Sequence, residues 1–119
     1  MAIITDVPQR ILRTGSGLTP VYTPVASAAD THQTNNNGKT MFLHFKKTGA
    51  GNATVTVQTP GQVDGLAVAE LTATVVATTG DKMIGPFDAQ VYNQLGQNYL
   101  QWTVDDVVGL TVAALYTDG

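Results

Sequence analysis

Apolar and polar residues alternate with a period of two along most of this chain. In KTMFLHFKK, Met41, Leu43 and Phe45 share one face, while Phe42 and His44 share the other. A strand that is apolar on both faces belongs in the middle of a sheet or beneath a cover. In ATVTVQ, Val55 and Val57 alternate with Thr54, Thr56 and Gln58, the pattern of a half-buried strand. ELTATVVA sets Leu71, Ala73 and Val75 against Thr72 and Thr74. YLQWTV sets Leu100, Trp102 and Val104 against Tyr99, Gln101 and Thr103. GLTVAALYT gathers Leu110, Val112, Ala114 and Tyr116 on one side. Trp102 alternates with aliphatic residues and therefore reads as core.

Turn chemistry separates these runs. Asn37-Gly38 readily takes positive φ, Pro60-Gly61 and Asp64-Gly65 break the chain, and TGAGN reads as a hairpin between its flanking strands. Short strands with turns every eight to twelve residues predict an all-β fold. The expectation is a single-domain β-sandwich or jelly-roll-like barrel of about seven or eight short antiparallel strands, with an extended N-terminal arm. Valine and threonine, stiff at Cβ, fit that architecture, and one glutamate with four lysines cannot build charged helix faces.

Three segments depart from the alternation. ASAADTHQTNNN, residues 26 to 37, is polar and reads as a loop. FDAQVYNQL, residues 87 to 95, predicts one helical turn capped by Asp88. Residues 1 to 25 carry apolar Ile3, Ile4, Val7, Ile11 and Leu12 between Pro8, Pro20 and Pro24. Proline cannot donate to a ladder, so this stretch is either an edge strand closing the sandwich or an arm laid on a neighbouring subunit. The chain therefore divides into an extended segment 1–25 and a sandwich domain 26–119.

In GDKMIGPF, Gly85-Pro86 stops a strand one residue before Phe87. The expectation is that Met83 and Ile84 end a strand near the rim and that Phe87 folds back to plug the core.

Composition narrows the function. The chain has 119 residues, no cysteine, a net charge of −3 and only 13% charged residues. Disulfides, thiolate metal sites and cysteine nucleophiles are excluded. Its six basic residues are scattered, so no nucleic-acid stripe forms, and no apolar run reaches the roughly 20 residues a membrane helix needs. MAIITDVPQR lacks a basic n-region and does not read as a secretory signal, so synthesis and folding in a cytoplasm are expected.

Catalytic patterns are missing too. His32 falls in the polar loop, and His44 reads as a solvent-facing or interface residue; neither has a second ligand at metal spacing. Asp105-Asp106 reads as turn chemistry rather than a carboxylate pair, and Ser16 and Ser27 sit outside any nucleophile elbow. The chain is expected to be no enzyme, with no cofactor and no metal. Tyr22 is a candidate contact residue because tyrosine suits interfaces.

VTVQTPGQVDGLAVAELTATVVATTGDKMIGPFDAQVYNQ, residues 55 to 94, resembles a family of small tailed-bacteriophage virion proteins. The shared pattern is a strand ending in Thr-Pro-Gly, a Val-Asp-Gly-Leu turn, a Thr/Val-rich strand, then Ile-Gly-Pro-Phe followed by Tyr-Asn. NNNGKTMFLHFKKTGAGNATVTV upstream is similar to the same family, and the likeness spans residues 35 to 116. The resemblance implies a capsid decoration, or cement, protein bound to the outer surface of the major capsid shell in the virion and self-associated, with a homotrimer expected. Ile3, Ile4, Val7, Ile11, Leu12 and Tyr22 are then the candidate capsid or intersubunit contacts. The alternative is another virion module: a tail-tube, head-fibre or receptor- or carbohydrate-binding sandwich.

Overall fold

β-branched alternation becomes two packed sheets in the computed structural model, which describes residues 3–11, 17–36, 38, 40–60, 62–63, 66–67 and 69–117. The strands among them are β1 (Ile3–Asp6), β2 (Gln9–Arg10), β3 (Thr23–Pro24), β4 (Thr31–Asn35), β5 (Phe42–Lys47) and β6 (Ala53–Val57). They continue with β7 (Gln62–Val63), β8 (Leu66–Ala67), β9 (Leu71–Val75), β10 (Gly80–Ile84), β11 (Tyr99–Val104) and β12 (Leu110–Tyr116). A single turn of helix, α1 (Ala89–Tyr92), follows Asp88, whose carboxylate accepts from the Gln90 amide as a cap.

The first sheet runs β1-β4-β11-β6-β9, and the second runs β10-β5-β12, with β2 and β3 both on the outer side of β12. A small β7-β8 ladder stands apart. The architecture is a β-sandwich, not a closed barrel. It also differs from the expected antiparallel set: β1 runs parallel to β4 and β2 parallel to β12, and the described strands number twelve because the N-terminal segment supplies three short ones, residues 31–35 a further strand and the β7-β8 ladder two more.

Two local expectations are corrected. Residues 26–37 are not all loop, since Thr31–Asn35 form β4 between β1 and β11. TGAGN is not a hairpin: β5 and β6 lie in different sheets, so it crosses the sandwich. Gly109 meets it there at φ +64, and a Cβ on Gly109 would fall 2.4 Å from the Gly49 nitrogen.

The core lies between the sheets. The first contributes Val55, Val57, Leu100, Trp102 and Val104, and the second Leu43, Phe45, Leu110 and Val112. Trp102 meets Phe45 edge-on at 5.1 Å, so the largest rings of the two layers touch directly. β10 ends at Ile84, and the chain turns through Gly85, φ +124, where a Cβ would come within 3.0 Å of Phe42. Phe87 is then buried in the core, edge-on to Tyr92 at 5.3 Å.

Candidate interaction surface

The N-terminal segment edges both sheets. β1 pairs along β4 from Ile3↔Thr31 to Asp6↔Thr34, Val7-Pro8 crosses the gap, and β2 pairs with the end of β12. Pro8 falls between strands, and Pro24 falls in a two-residue edge strand. At neither position is a central ladder bond lost, which is why the prolines are tolerated.

Two polar clamps fix this path. His32 Nδ1 and Asp6 Oδ2 lie 2.8 Å apart, with the carboxylate accepting, which ties β1 to β4. The side-chain amide of Gln9 donates to the Val21 carbonyl at 2.8 Å and accepts from the Val21 amide at 2.9 Å. Gln9 thereby acts as a surrogate strand joining β2 to the segment before β3.

β2 covers β12 at Leu115 and Tyr116, and β3 covers it at Thr111 and Val112. Ala113 and Ala114 lie between, where neither edge strand pairs. A groove of about 250 Å³ opens there, walled by Ile4 and Val7 on one side and Val21 and Thr23 on the other. Ile3 is 61% exposed, Val7 73% and Val21 67%. Among the described residues the only carboxylate lining the groove is Asp6, which is engaged by His32.

No family model, curated protein or solved structure matches this chain.

Of the residues singled out in the sequence, Ile4 and Val7 line the groove, and Ile3 is exposed on the opposite face of β1, level with Thr31. Ile11 is half-buried and holds the segment down, its amide donating to the Tyr116 carbonyl at 2.7 Å. Leu12 lies outside the described residues. Tyr22 serves the fold more than the surface. Its hydroxyl donates to His44 Nδ1 at 2.7 Å, and His44 Nε2 donates to Asp81. The Lys46 ammonium stands 4.6 Å above the Tyr22 ring.

Of the two readings of His44, solvent-facing or interface, the solvent-facing one is overturned, because the side chain is buried under Tyr22. His32 is not in a loop. It is 3% exposed and stacks on Trp102 with ring centroids 4.0 Å apart. Lys47 is buried as well; its ammonium donates to the Val108 carbonyl and lies 3.4 Å from Asp106. The Asp106 carboxyl is held below its ordinary range, first by the Val108 amide and then by Lys47. The Asp81 carboxyl is likewise lowered, first by its hydrogen bond from His44. Asp105 accepts from the Thr54 amide at 2.7 Å, so the acidic pair organises a turn.

Sequence reading missed Val21 and Gln9. Val21 carried a signal, since an aliphatic residue between two proline-bearing edge segments has no core face to turn toward. Gln9 carried none, because its clamp exists only once β2 and residue 21 are brought together.

Proposed function

We propose that the protein is a capsid decoration protein of a tailed bacteriophage, bound to the outer surface of the major capsid shell and stabilising the head. The supporting observation is the groove at the open side of the sandwich, where Ile4, Val7 and Val21 gather with little charge among the described lining residues. Such a patch marks a contact with another protein. Each of these side chains contributes about 1.5–3 kcal/mol when fully buried, before the costs of association. Shell binding then stabilises by mass action, about 4 kcal/mol per site at a thousandfold excess over Kd. The likeness of residues 35 to 116 to phage decoration proteins supplies the partner, and a homotrimer at a symmetric shell position is the assembly that reading favours.

The test is co-sedimentation of the full chain with expanded empty heads of its phage. The wild type should bind in fixed stoichiometry. The double variant Val7→Asp/Val21→Asp, at two exposed positions, should stay folded and bind at least about tenfold more weakly, because two charges are placed in an apolar contact. Failure of the wild type to bind overturns the reading, and equal binding by the double variant removes the groove as the contact.

A further inference from the structure

On the far side of Val7-Pro8 lies a second hollow of about 410 Å³, within the size range of small-ligand sites. Asn35, Asn36, Asn98, Met41 and Tyr116 line it with Val7 and Pro8, and no Asp, Glu, Lys, Arg or His is among its described lining residues. Asn36 is fully committed. Its amide donates to the Phe87 carbonyl at 3.1 Å and to Asn93 Oδ1 at 2.8 Å, and its oxygen accepts from the Gly38 amide at 3.0 Å. Asn93 in turn donates to the Asn36 carbonyl at 3.2 Å. This buried amide network fixes one wall, and the buried Met41 gives an apolar surface beside it.

The rim differs. The carboxamides of Asn35 and Asn98 and the hydroxyl of Tyr116 make no side-chain hydrogen bond among the described residues. Each carboxamide offers two donors and an acceptor, and the hydroxyl offers both. We propose that this hollow is a binding site for a neutral sugar, a hexopyranose unit with unsubstituted hydroxyls. Sugar hydroxyls donate and accept together, which matches carboxamides, while the ring's C–H face suits Pro8, Met41 and Tyr116. A charged ligand would find no counter-charge among the described lining residues, and a wholly apolar one would leave the amides unpaired. A peptide strand has no ladder to join here. Both edges of β4 are taken by β1 and β11, and β12 is paired with β2 at Tyr116. The site shares Val7 with the proposed shell contact, but it is argued from its own polar rim and stands if that contact fails.

The experiment is amide chemical-shift mapping of the full chain titrated separately with glucose, galactose, mannose and N-acetylglucosamine. At least one should give saturable shifts centred on Asn35, Asn98 and Tyr116, with a Kd on the order of millimolar. Asn98→Ala, an exposed position, should preserve the rest of the spectrum and weaken that sugar about tenfold, the effect of losing a ligand hydrogen bond. Saturable shifts with none of the four sugars, shifts centred elsewhere, or unchanged affinity in Asn98→Ala would overturn the proposal. Tighter binding of glucuronate or glucosamine than of glucose would also overturn it.

Discussion

The two sheets share one core yet present opposite outer faces. Alternation turns Thr31, Gln33, Gln101, Thr103, Thr54, Thr56, Thr72 and Thr74 of the first sheet outward, a hydroxyl and amide surface interrupted at its β1 edge by exposed Ile3 and carrying no charged side chain on this face of its described strands. The second sheet turns Phe42, His44, Lys46, Ala113 and Leu115 outward, yet His44, Ala113 and Leu115 are buried. Tyr22, from the far side of β12, reaches across to His44 in β5 and covers Ala113, its register partner. One face is finished by its own short polar side chains. The other is apolar enough to need a cover, and the N-terminal segment supplies it. The same segment that leaves Ile3, Val7 and Val21 in solvent is thus anchored by a buried histidine.

The largest expected effect tests what the sheets share. Trp102 belongs to the first sheet, but it stacks on His32, meets Phe45 of the second and donates from Nε1 to Thr34 at 3.1 Å. Trp102→Ala should cost about 3–5 kcal/mol in denaturant unfolding, as truncation of a fully buried large ring does. Hydrogen exchange should then rise in both sheets together. Loss confined to the first sheet would mean that the layers are energetically separate.

The strands with one polar and one apolar face were legible in the sequence, and β6, β9 and β11 follow their alternation. The helical turn was legible because Asp88 is a cap by chemistry alone. β4 was not legible, because its inward residues are His32 and Thr34. Their partners are distant in sequence: Asp6 pairs with His32 Nδ1 and Trp102 Nε1 donates to the Thr34 hydroxyl, while His32 Nε2 is buried with no hydrogen-bond partner among the described residues. The crossing at TGAGN was hidden for a related reason: glycine and asparagine announce a turn but not the sheet that receives the next strand. The groove was half legible. Ile4 and Val7 stood out as apolar residues beside Pro8, Val21 did not, and Tyr22, chosen by residue type, places its hydroxyl on His44.

A smaller effect separates the faces themselves. Tyr22→Phe removes one hydrogen bond and leaves His44 Nδ1 without its partner, so it should cost about 1–2 kcal/mol. Exchange at the Val25 amide, which donates to the Leu110 carbonyl at 3.0 Å, should rise with it. Gln101→Ala on the bare face of the first sheet should stay within about 0.5 kcal/mol of wild type. Equal costs at the two positions would dissolve the distinction between a covered face and a self-sufficient one.

Acid should produce the smallest effect, through Asp81 on the covered face and through Asp106 at the turn that holds Lys47. The His44 hydrogen bond lowers the Asp81 carboxyl below its ordinary 3.8. A carboxyl depressed in the folded state contributes stability that is present above the ordinary value and lost as pH falls through the folded one. Asp81 is exposed at the edge of the second sheet, so solvent screening keeps the contribution small. Lowering the pH below 3.8 should reduce the protection factor at Val25 before those of Gln101 and Thr103, whose face carries no carboxylate in its described strands. Asp81→Asn should show reduced Val25 protection at neutral pH and a flatter acid response, because the charged acceptor of the Tyr22–His44 chain is already gone. Simultaneous loss at all three amides in the wild type would mean that the cover has no local stability of its own and opens only when the whole sandwich does.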